Sequence, residues 1–528
     1  MTGPARIDLI VHNLKLYTVD QDFASAQGMA VHGGRILAVG GPEELFRRWT
    51  PARVLDGRGG YGYPGFLDAH SHLLSYSNTL AMADLTGARS WAEVLDRLLA
   101  HQRQQPGGWL QGRGWDQNLW PGQAYPTREL LDRAFPLQPV YLTRVDGHAA
   151  MANGAALALA GADPGTRVDG GELVQADGRL TGLLIDHAID LVKLIIPMPD
   201  RGVREQALLQ AQANCLAVGL TSVGDAGTEC EDVQLLEDMQ RDGRLKLRIY
   251  AMLRPTEANF ARFVAKGIHC TDRMTVRSIK AFADGALGSR GALMLQPYAD
   301  DPGNSGLQLT PSDRLEEICR RAAAAGYQVN THCIGDGAVR LVLGIYGHHL
   351  QPGNGRRWRI EHAQVVDPED LPAFGALGII PSVQTSHATS DMGWAAERLG
   401  PRIRWAYRYQ DLLRQNGWLA NGSDFPIEPI NPLFGFYAGV ARKDRCGRPR
   451  AGFQPENGLT REQALRAMTI WAARANFQEL DRGSLEVGKW ADFVILDRDL
   501  MQVPEPELLG AQVLATHIAG EQVHPRPA

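Results

Sequence analysis

This chain of 528 residues contains a recurring pattern of short β-type runs. Each run is followed by a stretch that has the residues typical of helix starts and helix ends. In chain order the runs lie at 65–72, 220–223, 247–252, 276–282, 327–332, 358–362, 379–384 and 418–422. Alternating strands and helices favour a parallel sheet, and eight such units favour its closure into a barrel. We therefore predict an α/β protein built on a (β/α)8 TIM barrel.

Several of these runs end at side chains that bind metals. His70 and His72 end the first run, and the two-residue period of a strand places both imidazoles on one face. The other candidates in or just after later runs are Lys280, His332, His362 and Asp424. Because a TIM barrel gathers its functional groups at the carboxyl ends of its strands, we predict that these side chains meet there as metal ligands.

The residue types in this set point to hydrolysis. A divalent metal lowers the pKa of bound water towards 7 and so provides a strong nucleophile near neutral pH. Histidine and carboxylate ligands favour zinc, with nickel, manganese or iron as alternatives. A protonated Lys280 would be repelled by a dication, so this lysine must be neutral or converted into an anionic group.

A segment of about 145 residues separates the first two runs, whereas an ordinary strand-to-helix connection has about two to six. We predict an inserted domain at 75–215 that overhangs the active face as a lid. Its tryptophans, among them Trp109, Trp115 and Trp120, either line that lid or fill the core of the insert.

The two ends of the chain carry short alternating segments that are typical of antiparallel strands. We predict a small β-sandwich built from both termini, residues 1–62 and 481–528, because neither set is a stable sheet alone. The first barrel strand then falls within 63–74, and the rest of the barrel within 216–480.

Composition narrows the possible partners. The net charge is −5 and the pI is near 6.3, without clustered lysine and arginine, which argues against nucleic acid and anionic membranes. The six cysteines form no C-x-x-C pair, and no leader-like or membrane-spanning apolar stretch is present in the sequence. We expect a cytoplasmic protein that acts on a small molecule, and a homo-oligomer is compatible with the sequence.

The ordered set of His70-Ser71-His72, Lys280, His332, His362 and Asp424 resembles the amidohydrolase superfamily. The similarity is greatest to its family-3 branch, which includes N-substituted formamide deformylases. The phrases 281–290 (AFADGALGSR) and Gly335-Asp336 also resemble that branch. The resemblance implies two metal ions, expected to be Zn²⁺, and a carbamate that Lys280 forms with carbon dioxide. By this resemblance one metal is held by His70, His72 and Asp424, the other by His332 and His362, and both by the carbamate.

The same resemblance implies that a hydroxide bridging the metals attacks an amide-type carbonyl, while Asp424 passes a proton to the departing nitrogen. His148 and Arg144 of the insert are candidate donors to the developing oxyanion, and local structural hydrogen bonding is the alternative for both. We expect Asp68, Asp225 and Asp284 to orient ligands or accept loop N–H groups.

The predicted function is cleavage of a C–N amide-type bond in an N-substituted formamide or N-acyl amine. One alternative is hydrolysis of an ester, lactone or cyclic amide on the same site. A second alternative is a binding or regulatory protein that kept the barrel and lost catalysis.

Overall fold

The computed structural model describes residues 5–104, 108–197 and 199–525. Eight parallel strands, each hydrogen-bonded to the next, form a nearly closed barrel. They are Phe66–Ser71, Leu220–Thr228, Arg248–Leu253, Met274–Phe282, Gln328–Cys333, Arg359–His362, Ile380–Val383 and Ala420–Asn421. The predicted TIM barrel is confirmed, and every predicted run coincides with one of these strands.

The eighth strand is only two residues long, and the chain after it completes the barrel. The Asp424 N–H donates to the His70 carbonyl at 2.8 Å, and the His72 N–H donates to the Phe425 carbonyl at 2.8 Å. These bonds place the segment that follows the last strand against the end of the first strand, at the rim where His70 and His72 lie.

Helices connect the barrel strands and follow the last of them. They are Leu73–Thr79, Arg201–Ala217, Cys230–Arg241, Glu257–Arg262, Ser312–Ala325, Asp336–His349, Leu371–Leu377, His387–Asp391, Ala395–Leu399, Tyr409–Asn416, Pro432–Ala441, Arg461–Ala467 and Ile470–Ala475. Short 3₁₀ turns at Val264–Lys266, Gly400–Trp405 and Pro455–Asn457 and a small strand at His269–Cys270 complete this part. Gly326 ends its helix at a φ of 72°, and Thr460 with Gln463 forms a capping box.

The inserted segment has its own six-stranded sheet. Its strands are Ala83–Asp84, Leu110–Trp115, Val140–Arg144, Ala149–Ala152, Gly171–Ala176 and Arg179–Asp186. Its helices are Trp91–Gln104, Glu129–Ala134, Gly154–Leu159 and Asp190–Lys193, with 3₁₀ turns at Gln117–Leu119 and His187–Ile189. The following helix, Arg201–Ala217, packs with the barrel instead, since its Leu208 and Cys215 join the barrel's apolar core.

The tryptophans of the insert fill its core. Trp115 is fully buried, and Trp120 is buried beside it with the ring centroids 6.1 Å apart. Their indole N–H groups donate to the carbonyls of Leu142 and Ala88 at 2.9 Å each. Trp109 packs against a second apolar cluster on the other side of the sheet. The structure therefore matches the core-filling alternative for these side chains.

Both ends of the chain form one further sheet of eight strands. Its strands are Ala5–Tyr17, Ser25–His32, Arg35–Gly40, Trp49–Asp56, Tyr61–Pro64, Phe493–Leu496, Val513–Ile518 and Glu521–His524, with a helix at Pro42–Arg48 and a 3₁₀ turn at Glu505–Gly510. The N- and C-terminal parts join where Tyr61–Pro64 pairs with Phe493–Leu496. Arg248 of the barrel anchors this sheet through two buried bonds to Asp492, of 2.6 and 2.9 Å. In the described part of the chain, no helix has the length and apolar character needed to cross a bilayer.

Candidate metal centre

The predicted ligands meet at the carboxyl ends of the barrel strands. His70, His362 and Asp424 each offer a ligand atom, and these three atoms lie within 4.8 Å of one another. The Nε2 atom of His72 is 3.0 Å from Asp424 Oδ1, and the Lys280 Nζ atom is 3.3 Å from His70 Nε2. All of these side chains except His72 are buried.

His332 completes the set from the fifth strand. Its ring centroid lies 4.5 Å from that of His362, at an edge-on angle of 66°. The six side chains therefore come from strands one, four, five and six and from the turn after strand eight. They form one compact cluster, although the sequence separates them by up to 354 residues, from His70 to Asp424.

The backbone is strained at two members of the cluster. His362 has a φ of 73° and Asp424 has a φ of 60°, which side chains other than glycine rarely adopt. His362 is the last residue of its strand, and Asp424 lies in the turn that follows the eighth strand. Strain of this kind costs roughly 1–3 kcal/mol and is concentrated at functional sites.

Burial lowers the pKa of the basic side chains in the cluster. It is the largest cause of the lowered pKa of His70, His332 and His362, and for His332 and His362 the pKa falls well below its usual range. Burial also lowers the pKa of Lys280, against the opposing charges of Glu361 and Asp424. A neutral imidazole is the form that binds a metal, and a neutral amine avoids repelling one.

Asp424 is the anionic member. Burial alone raises its pKa, but the hydrogen bond from His72 and the three neighbouring imidazoles of His70, His72 and His362 outweigh this and hold the pKa well below its usual range. Asp424 is therefore a carboxylate throughout the ordinary pH range.

The hydrogen bonds behind the imidazoles show that the donor set fits a cation. His70 Nδ1 contacts Glu361 Oε2 at 2.6 Å, His72 Nδ1 contacts the Ala226 carbonyl at 2.8 Å, and His362 Nδ1 contacts Gln384 Oε1 at 2.6 Å. Because each of these partners is an acceptor, Nδ1 carries a proton in all three rings, which leaves a lone pair on Nε2 of His70 and of His362. These two lone pairs converge on the Asp424 carboxylate, and a divalent metal bound between them would remove their repulsion.

The insert reaches the cluster through His148. Its ring centroid lies 5.1 Å from that of His332, and its Nδ1 atom is 2.7 Å from Asp186 Oδ1. Burial lowers the pKa of His148, but the hydrogen bond and charge of Asp186 outweigh it, and the net shift is upward. His148 is thus the one predicted insert residue that lies against a predicted ligand.

Arg144 is bound to other residues of the insert. Its Nε atom donates to Gln117 at 2.8 Å, Nη1 to Asp146 at 2.6 Å and Nη2 to Asp116 at 2.5 Å. Asp146 in turn accepts from the His148 backbone N–H at 3.0 Å. This arrangement corresponds to the local structural alternative, in which Arg144 braces the turn that carries His148.

Comparison with known proteins places the chain in a family. A model of the amidohydrolase family matches residues 53–524. The chain belongs to the amidohydrolase family. The predicted resemblance is thereby confirmed, and the protein is a hydrolase of this family.

Two curated relatives of this amidohydrolase carry names of different kinds. Protein LONG AFTER FAR-RED 3 of Arabidopsis thaliana is 34% identical, over 99% of this chain and 93% of its own length. N-substituted formamide deformylase of Arthrobacter pascens is 28% identical, over 97% of each chain. Among solved structures, an uncharacterized metal-dependent hydrolase from Pyrococcus horikoshii OT3 superimposes with a TM-score of 0.76 at 28% identity, covering 94% of this chain and 99% of its own. Family membership therefore does not by itself fix which bond is cleaved.

Two supporting residues of the amidohydrolase site escaped the sequence analysis. Glu361 binds His70, and Gln384 binds His362. The period of two in a strand places Glu361 and His362 on opposite faces, so their joint presence at the site is not expected. The positive φ of His362 allows both neighbours to reach the cluster. One sequence signal could have identified Glu361. It lies inside the β-type run Arg-Ile-Glu-His, and a glutamate buried in a strand requires a partner.

The aspartates behind the amidohydrolase cluster behave as predicted. Asp284 accepts three backbone N–H groups, from Leu293 at 2.9 Å, Ile334 at 3.0 Å and Gly335 at 2.8 Å. Asp68 accepts from the Ser423 hydroxyl at 2.6 Å and so ties the first strand to the segment after the last. Burial raises the pKa of each to about 7. Both therefore support the loops from which the ligands project.

Proposed function

We propose that this amidohydrolase cleaves a C–N amide-type bond of a small molecule, an N-substituted formamide or another N-acyl amine, with the help of divalent metal. The observation that carries the proposal is the convergence of imidazole Nε2 atoms on Asp424 and Lys280 at the barrel rim. The name of the Arthrobacter pascens relative supports the choice of bond, since that protein aligns over almost the whole chain.

We propose that this donor set binds two metal ions, and that the metal is zinc. His70, His72 and Asp424 would hold one ion, His332 and His362 would hold the other, and Lys280, as a carbamate, would contribute to both. Metal bound there supplies Lewis acidity towards the substrate oxygen and lowers the pKa of water towards neutrality.

Lys280 becomes a ligand through reaction with carbon dioxide. Its neutral Nζ atom adds to the carbon of CO₂ and loses one proton, which leaves an anionic carbamate on the side chain. Burial favours this reaction because it lowers the pKa of the amine and so increases the share of the neutral form, which is the form that reacts.

Two side chains move or hold protons during hydrolysis. Asp424, ionised because of its lowered pKa, accepts the proton of the attacking water and delivers it to the departing nitrogen. His148 donates from Nε2 to the oxygen that gains negative charge, since Nδ1 is engaged by Asp186 and the raised pKa favours the doubly protonated ring.

The test combines a metal assay with a substrate panel. Purified protein is expected to hold two metal ions per chain and to release carboxylate from N-formyl or N-acyl amines, and activity is expected to vanish on chelation and return when metal is restored. Esters, lactones and cyclic amides are the comparison substrates. A protein that turns over only those compounds contradicts the bond assignment, and one that neither binds metal nor turns over any compound contradicts the hydrolytic site.

A further inference from the structure

Asp186 is an unusual residue at the end of an insert strand. Its backbone has φ 48° and ψ −123°, and its carboxylate side chain is fully buried. A buried carboxylate on a strained backbone is costly on both counts, and such strain persists only where the surrounding structure enforces it.

Asp186 and His148 are joined by two hydrogen bonds. The carboxylate Oδ1 atom contacts His148 Nδ1 at 2.7 Å, and the Asp186 N–H donates to the His148 carbonyl at 2.9 Å. The strand register explains the pairing, since Ala149 lies opposite Ile185 in adjacent antiparallel strands. The two bonds restrict both the backbone and the ring of His148.

The other carboxylate oxygen faces the barrel. Asp186 Oδ2 is buried and has no hydrogen-bond partner among the described residues. A Cβ atom on Gly285 would lie 2.9 Å from both carboxylate oxygens, and one on Gly291 would lie 2.8 Å from Oδ2. Real Cβ atoms essentially never come that close, so these positions accept only glycine while the carboxylate stays in place.

Both glycines belong to the loop after the fourth barrel strand, the strand that carries Lys280. The carbonyl of Gly285 also lies 3.3 Å from His332 Nε2. The loop therefore touches a predicted ligand on one side and Asp186 of the insert on the other. The close approach of Asp186 is the physical reason why the segment 281–291 has glycine at positions 285 and 291.

We propose that Asp186 is a positioning residue that fits between Gly285 and Gly291 and holds the His148 ring in a fixed orientation against the metal cluster. The insert is then one wall of the active site, held in register with the barrel, and it acts on the reaction through His148. This inference rests on the role proposed above for His148.

The decisive experiment is a double-mutant cycle on the metal-loaded enzyme with whichever substrate the panel returns. His148→Ala and Asp186→Ala are each expected to lower kcat by about 10–100-fold, with KM and metal content within about twofold of the wild type. Asp186→Asn, which keeps an acceptor for Nδ1, is expected to retain more activity than Asp186→Ala. In the His148→Ala background, Asp186→Ala is expected to have no further effect, because its action passes through the missing ring.

A second variant disturbs the contact from the barrel side. Gly291→Ala forces its new methyl group against Asp186 Oδ2 and is expected to lower kcat like Asp186→Ala, again without loss of metal. Gly303→Ala is the matched control, since a Cβ there meets nothing within 4 Å. This control is expected to keep wild-type kcat, and thermal unfolding is measured for all variants.

The outcomes separate the two proposals. If His148→Ala has wild-type kcat, the role of His148 in the proposed function is wrong. If His148→Ala is impaired while Asp186→Ala is not, or if the two losses multiply in the double variant, Asp186 does not position His148. If Asp186→Ala does not fold, Asp186→Asn and Gly291→Ala still decide, since an unchanged kcat in both overturns the inference.

Discussion

The barrel rim and the insert face the same site but are built differently. At the rim, the imidazoles are held from behind by Glu361, Ala226 and Gln384, and strand ends fix their positions. In the insert, the aromatic side chains pack against each other, and among the residues predicted there only His148 lies against a predicted ligand. Under the proposed function, the rim carries the metal chemistry, and the insert contributes position and shape on the substrate side.

This difference shows that a high content of aromatic residues does not by itself identify a segment above an active site as a substrate lid. Trp115 and Trp120 give the insert the apolar core that a separate six-stranded sheet requires. The comparison predicts that rim variants change metal binding and turnover, whereas variants in the insert core change stability.

The largest effect is expected at Lys280. Lys280→Ala removes the proposed carbamate, so both metal content and activity should be lost, with turnover falling by at least about 10⁴-fold, the upper end for a single proton-transfer group. Small carboxylates such as acetate are expected to restore part of both, and Lys280→Arg is expected to restore neither because guanidinium stays cationic. Metal analysis with turnover provides the check, and a fully metallated, active Lys280→Ala protein contradicts the assignment.

Asp424→Asn separates proton transfer from metal binding. The amide keeps the size and an oxygen donor but removes the base, so kcat should fall by about 10²–10⁴-fold while the fold and much of the metal remain. The wild-type kcat/KM should decline as pH falls through the pKa of Asp424, because the group must be unprotonated, and this pKa lies well below its usual value.

Metal content, circular dichroism and the pH–rate profile together test this prediction. The acidic limb should weaken in Asp424→Asn. Wild-type rates in the folded, metal-loaded variant indicate another base. His387 is then the next candidate, since its Nε2 atom is 4.0 Å from Asp424 Oδ2.

A smaller effect is expected at Glu361. Glu361→Gln keeps an oxygen near His70 Nδ1 but removes the charge that orients the ring, so metal affinity should fall by about 10–100-fold. Metal titration with a competing chelator measures the change. Glu479→Gln is the control, since this glutamate pairs with Arg357 away from the cluster. Equal metal affinity in wild type and Glu361→Gln is the result that rules out an orienting role.

The sequence specifies the barrel and the side chains at its rim better than the residues that support them. The predicted ligands lie in or just after β-type runs, and strand geometry sends them to one rim, so the places of His70 and Lys280 follow from local pattern. Glu361 depends on a positive φ at His362, and the pairing of Asp186 with His148 depends on strand register inside the insert. Such features arise from tertiary packing, which a pattern of apolar and polar residues does not encode.

The tryptophans illustrate the same limit. Their number and their place in the sequence fit both a lid and a core. The packing of Trp115 among the apolar side chains of the insert decides in favour of the core. By contrast, the joining of the two chain ends into one sheet could be predicted, because short alternating strands at each end need partners.

The smallest effect on turnover is expected for Trp115, and it is the sharpest test of the comparison. Trp115→Ala opens a cavity in the insert core and breaks the bond to the Leu142 carbonyl, so the free energy of unfolding should fall by about 3–5 kcal/mol. Metal content and kcat of the folded protein, measured at low temperature, should stay close to wild type. Leu137→Ala is the control, since that side chain is 91% exposed and its loss should change stability by less than about 0.5 kcal/mol. If Trp115→Ala instead leaves the melting temperature unchanged and raises KM strongly, Trp115 contacts the substrate. That result contradicts the conclusion that the rim performs the chemistry while the insert core contributes only stability.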